Sequence, residues 1–524
     1  MKNYWLKLAG SILSGVLIAI SFPGFNFSTL IYVSFIPLLF VLKSSNLKHA
    51  IFFSWIAGVA FFGISLFWIF NITNFVDGFL LKASSILGCI ILVVYCAIYF
   101  IPFGILASRC IKSIKVMSIV KNIFIMLFLT MVWTASEYLR SVLLSGFPWS
   151  LLGVSQYANP AIIQISSFGG VYLVSSIIVW MNLGIFITFL QYFSGNNKRK
   201  RRPHYELIIG IIPLALSIGY GMNQLFNDNQ EHEKFKVAII QPNIPQNEKI
   251  ENLRIGSIAK NLEELSDSAL RVAELDLLIW PETALSGFAK QYMRSNDDVI
   301  NRIIKKCPLL TGVVDVEIKK DYEINHYNAS VLFEEPLESI TLDNVYYKNH
   351  LVPFGEFIPL SNVFKFLAPL GSSFKHGKEI KIFQTKKSPP FSVLICFEDI
   401  IPSIAVKSVK MGSKCLINQT NDAWFDPSSQ SQQHMAHAIF RCIENNVPMV
   451  RACNTGISCI IDNKGRVRQS LKPLTEGFMI IEVLVAKQND ISFYTKFGEI
   501  YPRITVLLSI IITLLLYSNR GIKL

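Results

Sequence analysis

The stretch VLICFED at residues 393–399 decides how the second half of this chain folds. An apolar, β-rich run ends at Cys396, and a helix is predicted to start near Pro402, because proline is favoured in a first helical turn. A cysteine at a strand-to-helix turn faces backbone N–H groups, which lower the pKa of a thiol. We therefore predict that Cys396 is a nucleophile, although Glu398 and Asp399 are also compatible with simple first-turn acids.

Two further stretches place charged side chains at the ends of β-rich runs. LIWPET at 278–283 carries Glu282 beyond a buried strand, and YYKNHLVPFGE at 346–356 carries Lys348 with Glu356 eight residues later. Segments that follow strands are where α/β domains present reactive groups. Taken alone, Glu282 is as compatible with a turn as with a general base, and Lys348 is either a surface lysine or a fixed cation.

Short β-rich runs recur through residues 235–485, and helical stretches at 252–273 and 403–411 lie between some of them. Several runs are apolar throughout, as expected for strands that other layers cover on both faces. This pattern predicts an α/β domain of about 250 residues in which helices cover sheets. The predicted strands are 237–241, 275–280, 309–314, 329–333, 345–348, 392–396, 415–418, 449–452, 459–462 and 478–483.

The composition of the whole chain indicates a membrane protein. Of its 524 residues, 52% are hydrophobic and 16% are charged, and the mean hydropathy is +0.42. A soluble domain carries about 25% charged residues, so a single soluble domain is excluded, as are a disordered chain and a small disulfide-framed protein. Residues 224–502 hold 31 basic and 33 acidic side chains, while the rest of the chain holds 18 and 3. A basic excess in the apolar part indicates membrane topology rather than nucleic-acid binding.

Apolar stretches long enough for spanning helices of about 20 residues flank the α/β region. We predict eight spans, near 8–22, 28–43, 50–70, 84–108, 119–140, 165–193, 206–224 and 503–519. The first is an uncleaved span, because no small-x-small cleavage site follows it. If the N-terminus is cytoplasmic, the cytoplasmic segments carry 15 basic residues and the short outer loops carry two. This asymmetry predicts that both termini are cytoplasmic.

The same topology predicts three parts of the chain. Residues 1–224 form a transmembrane domain of seven spans, residues 225–502 form an outer catalytic domain, and residues 503–524 form the C-terminal transmembrane helix.

Other candidate functional residues are few. Glu137 and Arg140 lie three apart on one helical face, either as an interfacial ion pair or as a contact for a lipid headgroup or substrate. His434 and His437 lie three apart on a probable helix without a third ligand, so no metal site is predicted. None of the nine cysteines forms a CxxC pair, which leaves zinc ribbons and thioredoxin-like motifs without support.

Glu282, Lys348 and Cys396, in this order and with gaps of 66 and 48 residues, resemble the Glu-Lys-Cys triad of the nitrilase (carbon–nitrogen hydrolase) superfamily. Five short sequence motifs narrow the resemblance to the apolipoprotein N-acyltransferase family. They are SGFPW at 145–149, WPE at 280–282, KNHLVPFGE at 348–356, NDAWF at 421–425 and RACNTGIS at 451–458. The predicted span layout also matches this family, so the resemblance covers nearly the whole chain.

The resemblance implies a multi-pass α-helical membrane domain joined to an α/β nitrilase-like domain, a four-layer αββα sandwich. It implies that a fatty acyl chain passes from a membrane phospholipid to the N-terminal α-amine of the diacylglyceryl-cysteine of an apolipoprotein. Cys396 would carry the acyl chain as a thioester in a ping-pong reaction, with Glu282 as general base and Lys348 as the cation that holds the oxyanion. No cofactor and no nucleic acid is implied. The implied location is the bacterial inner membrane, with the catalytic domain on the periplasmic side.

Further positions are assigned by the same resemblance. Glu356 and Glu398 match carboxylates that flank the family's site, and Trp424 matches a loop tryptophan near its pocket. Phe397 stands where the family usually has tyrosine, so any role of that hydroxyl is absent here or supplied elsewhere. Ile250 stands where the family has a tryptophan, a change that concerns an acyl-chain or loop contact rather than the chemistry.

Three other functions are alternatives to acyl transfer. A membrane-tethered amidase or nitrilase would form the same thioester and use water as acceptor. A transporter with an outer sensory domain would place paired charges inside the membrane and often show inverted repeats, whereas the predicted spans are nearly free of charge. An inactive binding module would lack a member of the triad, and all three candidates are present.

Overall fold

The computed structural model describes residues 2–114, 118–193, 204–227, 231–250, 255–288, 293–318, 324–334, 344–353, 355–357, 374–488 and 490–518. The basic run at 198–202, which contributes to the predicted topology, lies outside these residues. The chain forms two compact units. The first comprises residues 1–67, 89–228 and 497–524, and the second comprises residues 68–88 and 229–496.

The secondary structure is mainly helical in the first unit and mixed in the second. The helices are α1 (Lys2–Ile20), α2 (Ile36–Lys43), α3 (Leu47–Ser65), α4 (Phe79–Ile98), α5 (Ile101–Cys110), α6 (Ile119–Val142), α7 (Pro160–Ile163), α8 (Ser166–Gly169), α9 (Val171–Phe193), α10 (Tyr205–Phe226), α11 (Gln246–Ile250), α12 (Ile255–Val272), α13 (Met293–Ile304), α14 (Pro402–Lys410), α15 (Gln430–Asn445), α16 (Phe493–Phe497) and α17 (Ile500–Ser518). The strands are β1 (His232–Gln241), β2 (Leu277–Ile279), β3 (Leu285–Phe288), β4 (Leu309–Ile318), β5 (Ile324–Phe333), β6 (Val345–Tyr347), β7 (Phe391–Ile395), β8 (Cys415–Thr420), β9 (Met449–Cys453), β10 (Cys459–Ile461), β11 (Val467–Ser470) and β12 (Gly477–Ala486).

Seven helical segments among the described residues are long and apolar enough to cross a membrane. They are Asn3–Ile20, Leu47–Ser65, Phe79–Ser113, Ile119–Ser145, Val171–Tyr192, Tyr205–Phe226 and Ile500–Ser518. The predicted span at 28–43 is shorter, because a 3-10 helix over Ser28–Tyr32 is followed by the eight-residue α2, which has proline in its first turn. The multi-pass helical architecture is confirmed, with seven helices of spanning length rather than eight.

Helices of the first unit pack closely where glycine removes the side chain. A Cβ on Gly184 of α9 would lie 3.0 Å from the carbonyl oxygen of Glu206 and 3.3 Å from the Cα of Gly210 in α10. Small residues allow this approach between membrane helices, and polar side chains then bond across the interface. One such bond runs from Asn122 Nδ2 of α6 to Glu206 Oε1, at 2.8 Å.

Glu137 and Arg140 of α6 hold the loop that follows their own helix. Arg140 Nη1 donates to the carbonyl oxygens of Phe147 and Trp149, both at 2.6 Å. Glu137 Oε1 accepts from the backbone N–H of Leu152 at 2.8 Å. Both side chains are buried. These contacts give the pair a structural role in shaping the loop at 143–152.

Two β-sheets form the centre of the second unit. The first has the order β12-β1-β2-β4-β5-β6, with β3 beside β4, and the second has the order β11-β10-β9-β8-β7. Strands β7, β8 and β9 are parallel, so their carboxyl ends lie at one edge of the second sheet. In the first sheet, β1, β2 and β4 are parallel, whereas β5 and β6 run antiparallel to their neighbours.

The alternation of side chains in each strand builds a four-layer αββα sandwich. Phe235, Val237 and Ile239 of β1 share one buried cluster with inward residues of β7, β8 and β9, which places this cluster between the sheets. The alternate residues of β1, Ala238 and Ile240, pack in a second cluster with α12 and α13. Because successive side chains of a strand point to opposite faces, helices cover the outer face of the first sheet. Helix α14 packs against β7 and α15 on the second sheet's outer side.

All ten predicted strands are present, as are the predicted helices at 252–273 and 403–411, each within a few residues of its bounds. Two further strands, β3 and β11, were not predicted. Every residue of β11 is exposed, so it carries no apolar pattern.

Candidate active site

Cys396 lies directly after β7, at the start of a 3-10 helix over Cys396–Ile400. Its φ of 51° is in the left-handed region, which is uncommon for residues other than glycine. The predicted helix start at Pro402 is correct, since Pro402 is the first residue of α14. Of the nine cysteines, all of them free thiols, Cys396 is the one with a partly accessible side chain.

The predicted lowering of the Cys396 pKa is wrong. Burial raises the pKa of this thiol well above its ordinary value, the nearby Glu282 carboxylate raises it further, and the Lys348 ammonium opposes both effects only in part. Local sequence suggested a helix N-terminus, but the side chain begins a 3-10 turn and faces a carboxylate from another strand. The resting group is therefore a thiol, and it requires a base to become a nucleophile.

Glu282 lies three residues beyond β2 and is 6% exposed. Its Oε1 accepts from Asn328 Nδ2 at 2.8 Å, and its Oε2 accepts from the backbone N–H of Asn421 at 2.8 Å. Gly312 of β4 lies against this turn so closely that an added Cβ would be 2.6 Å from the Glu282 Cα. The carboxylate is thus held by β5 and by the segment that follows β8, while β4 fixes the backbone of Glu282.

Lys348 follows β6 and is 1% exposed. Its Nζ donates to Glu356 Oε1 at 2.9 Å and lies 3.6 Å from Glu282 Oε1. Burial by itself lowers the pKa of this lysine, but the carboxylates of Glu356 and Glu282 outweigh burial and raise the pKa above its ordinary value. The side chain is therefore a permanent cation enclosed beside two carboxylates.

Asn328, in the middle of β5, was not predicted as a site residue. Its Nδ2 donates to Glu282 Oε1 at 2.8 Å and to Glu356 Oε1 at 2.9 Å, and its carbonyl oxygen accepts from the backbone N–H of Lys348 at 2.8 Å. Asn328 therefore holds the two carboxylates and the backbone of the lysine in position relative to one another. The sequence gives no distinct signal for this residue, since the β5 sequence INHYNASVLF contains several other polar side chains.

Glu356 and Glu398 have different environments. Glu356 Oε2 accepts from the backbone N–H of Val352 at 2.8 Å, which closes the loop after Lys348. Glu398 accepts from the backbone N–H groups at 349, 350 and 395, at 2.7, 3.0 and 2.8 Å, and from the hydroxyl of Tyr346 at 2.9 Å. Burial raises the Glu398 pKa to about 7. Glu398 thereby joins the end of β6 to the end of β7.

The two predicted aromatic residues have different neighbours. Phe397 is buried and stacks on the ring of His350, with 5.9 Å between centroids and 15° between planes. Trp424 ends a 3-10 turn over Asp422–Trp424, and its ring packs edge-on against Phe75 at 5.6 Å. The side chain of Ile250 lies outside the described residues.

Among the residues that the structure describes, no group of three or more His, Cys, Asp or Glu side chains has the arrangement of a metal site.

Comparison with known proteins identifies the family. The model of the apolipoprotein N-acyltransferase N-terminal domain matches residues 14–184, and the carbon–nitrogen hydrolase model matches residues 236–488. The chain is 31% identical over 519 residues to an apolipoprotein N-acyltransferase of Geobacter metallireducens, covering 98% of this chain and 95% of that protein. The chain belongs to the apolipoprotein N-acyltransferase family. It is also 28% identical to the Thermotoga maritima protein of this name, covering 96% of this chain and 92% of that one.

Membership of the apolipoprotein N-acyltransferase family confirms the resemblance that the sequence motifs indicated. The chain is an acyltransferase of the carbon–nitrogen hydrolase superfamily and a bacterial membrane protein. Among solved structures, it is similar to Nit3 of Saccharomyces cerevisiae, a member of branch 10 of the nitrilase superfamily. The TM-score is 0.37 and the identity is 18%, covering 53% of this chain and 98% of that chain.

Proposed function

We propose that this chain transfers a fatty acyl chain from a membrane phospholipid to the N-terminal α-amine of the diacylglyceryl-cysteine of apolipoproteins. Cys396 is the nucleophile, Glu282 the general base and Lys348 the cation that stabilises the oxyanion. The observation that carries the proposal is the enclosed arrangement of a partly accessible thiol, a fixed carboxylate and a buried ammonium, contributed by three different strand ends.

In the first half-reaction, Glu282 takes the thiol proton and the Cys396 sulfur attacks the ester carbonyl carbon of the phospholipid. The charge that develops on the carbonyl oxygen is stabilised by the Lys348 ammonium, which needs no reorganisation because its carboxylate partners already hold it. The carbon–oxygen bond then breaks, and Glu282 returns its proton to the leaving oxygen. The products are a Cys396 thioester and a lysophospholipid.

In the second half-reaction, the α-amine of the acceptor attacks the thioester carbonyl carbon. Glu282 takes a proton from the amine, the carbon–sulfur bond breaks, and Cys396 regains its thiol proton. The product is an amide on the lipoprotein. Because both substrates are anchored in lipid, the proposal also places the enzyme in the bacterial inner membrane, with 1–224 and 503–524 as its membrane parts and 225–502 in the periplasm.

The test is peptide mass spectrometry of the purified full chain after incubation with a phospholipid and no acceptor. A hydroxylamine-sensitive acyl adduct on Cys396 is expected, and a diacylglyceryl-cysteine peptide should discharge it to an amide. Cys396→Ser is the matched control and should show no such adduct. If water alone discharges the adduct, the enzyme is a hydrolase. If no adduct forms, the assignment of donor and nucleophile is refuted.

The predicted topology has its own test. Reporters fused after residue 231 that are active only outside the cytoplasm would support a periplasmic catalytic domain. Activity of those reporters only in the cytoplasm would refute it.

A further inference from the structure

A buried network of four charged side chains lies behind Cys396. His434 of α15 has its Nδ1 3.1 Å from Asp422 Oδ1 and its Nε2 2.8 Å from Asp399 Oδ1, and Arg451 of β9 bonds the other oxygen of Asp399. All four residues are at most 1% exposed. Two cations and two anions balance, so the network carries no net charge.

The geometry fixes the protonation of His434. Both ring nitrogens lie within hydrogen-bond distance of carboxylate oxygens, and a carboxylate only accepts, so both nitrogens carry protons and the ring is an imidazolium. The charged groups that face the ring are Asp399, Asp422 and Arg451. The pKa agrees: burial lowers it and Arg451 lowers it, but the two carboxylates prevail and raise it to about 9.

The same imidazolium reaches the backbone of the nucleophile. Its Nε2 lies 3.3 Å from the carbonyl oxygen of Cys396, and Asn418 Nδ2 of β8 donates to that oxygen at 3.1 Å. Cys396 has a left-handed backbone, a strained conformation that persists only where the surroundings enforce it. Because a peptide unit is planar, two donors on this carbonyl fix the plane that follows Cys396, and with it the direction of the thiol.

We infer that His434, held as an imidazolium between Asp399 and Asp422, is a positioning residue that fixes the backbone of Cys396 and thereby orients the thiol for acyl transfer. The inference rests on the proposed function for the identity of the substrate. The orientation of the Cys396 thiol by His434 does not depend on that substrate. The nearby His437 provides a matched control, since it is a second buried histidine of α15, three residues further along the same helix.

The experiment compares full-length wild type, His434→Gln, His434→Gln/Asp422→Asn and His437→Gln in detergent. The single His434 change leaves two anions against Arg451, whereas the double change restores charge balance. For each, we would measure the thermal unfolding midpoint, the rate constant and half-saturating phospholipid concentration of Cys396 acylation, and the alkylation rate of Cys396 by iodoacetamide. Alkylation needs no lipid, and it can be assigned to Cys396 by peptide mass spectrometry.

For His434→Gln, we expect the acylation rate constant to fall by about 10- to 100-fold, the range for misplaced supporting groups, with the half-saturating concentration changed by less than about threefold. His437→Gln should stay within about threefold of wild type in both quantities. The double variant should regain the unfolding midpoint without regaining the rate. Acylation by wild type should also decline above about pH 9, and both His434 variants should lack that decline.

Two results would overturn the inference. One is a double variant whose acylation rate recovers together with its unfolding midpoint, which would give the network a structural role only. The other is a folded His434→Gln with the wild-type rate. If wild type itself forms no acyl adduct, the proposed function fails. The alkylation rate of Cys396 then decides the inference by itself. His434→Gln should alter that rate about tenfold, and His437→Gln should not.

Discussion

Replacing Gly312 with alanine should displace the general base while leaving every functional side chain in the protein. Gly312 lies in β4 beneath the turn that carries Glu282, and an added Cβ would be 2.6 Å from the Glu282 Cα, 2.6 Å from the Pro281 carbonyl oxygen and 2.7 Å from the Thr283 nitrogen. All three are backbone atoms. A flexible side chain could rotate away from the new methyl group, but this backbone has to shift.

The size of the shift follows from contact distances. An ordinary Cβ contact begins near 3.4 Å, so a contact at 2.6 Å requires about 0.8 Å of movement, shared between β4 and the turn. A misplacement of about 1 Å in a reactive group costs about 100-fold in rate. We therefore expect the acylation rate constant of Gly312→Ala to be about 6- to 40-fold below that of wild type, depending on how the movement is shared. Overpacking of this kind also destabilises a fold by about 1–3 kcal/mol.

The assay is single-turnover formation of the Cys396 acyl adduct, measured by mass spectrometry beside a thermal unfolding curve. Gly477→Ala is the matched control: Gly477 is also a strand glycine of the first sheet, and a Cβ there meets no atom within 4 Å. Its rate and unfolding midpoint should equal those of wild type. A wild-type rate in Gly312→Ala would refute the argument that the Glu282 position controls acylation. An equal loss in Gly477→Ala would show that alanine in these strands acts by some general effect.

Three further predictions follow from other contacts. Lys348→Met should lower the acylation rate constant about 100- to 1,000-fold, the loss typical of a removed oxyanion donor, and a matching loss of phospholipid binding would assign Lys348 to binding instead. Because the folded-state pKa of His434 is raised to about 9 from 6.5, its stabilisation is complete below pH 6.5 and is lost as pH rises through 9. The unfolding midpoint should therefore fall between pH 7 and 10, and less so in His434→Gln. In the membrane unit, Gly184→Val should lower the midpoint, because its side chain would meet backbone atoms of α10, while Gly219→Val, with no atom within 4 Å, should not.

The α/β architecture could be predicted because each buried strand carries its own apolar signal. β7 and β8 are buried at every residue, and their apolar residues mark them without reference to the rest of the chain. β11 has no buried residue, and its one partner among the described strands is β10, so its existence depends on a pairing that local sequence does not reveal. The prediction of a spanning helix at 28–43 is wrong for a related reason. Composition shows that the segment is apolar over this length, but it does not show the break between the 3-10 helix and α2.

The candidate site was less predictable than the strands that carry it. The sequence could identify the three triad residues together only through the motifs that surround Glu282, Lys348 and Cys396. Their proximity itself depends on how the two sheets pack. Asn328 contacts Glu282, 46 residues before it, and Glu356, 28 residues after it, and only the tertiary fold brings these three side chains together. The thiol pKa was predicted in the wrong direction for the same reason. The local turn favours a thiolate, but burial and the Glu282 carboxylate, which are both tertiary features, favour the thiol.

The raised pKa of the Cys396 thiol has a consequence for the mechanism, which follows from the charges around it. Glu282 and Glu356 share one ammonium, that of Lys348, so this group carries one negative charge beside a neutral thiol. When the thiol proton moves to Glu282, the negative charge moves from the carboxylate to the sulfur and the total is unchanged. The proposed first step therefore moves one negative charge within the enclosure without adding to it, and Lys348 meets new charge only when the carbonyl oxygen becomes an oxyanion. A thiol with a high resting pKa is in this way compatible with an efficient nucleophile, because the base that keeps it protonated is also the base that activates it.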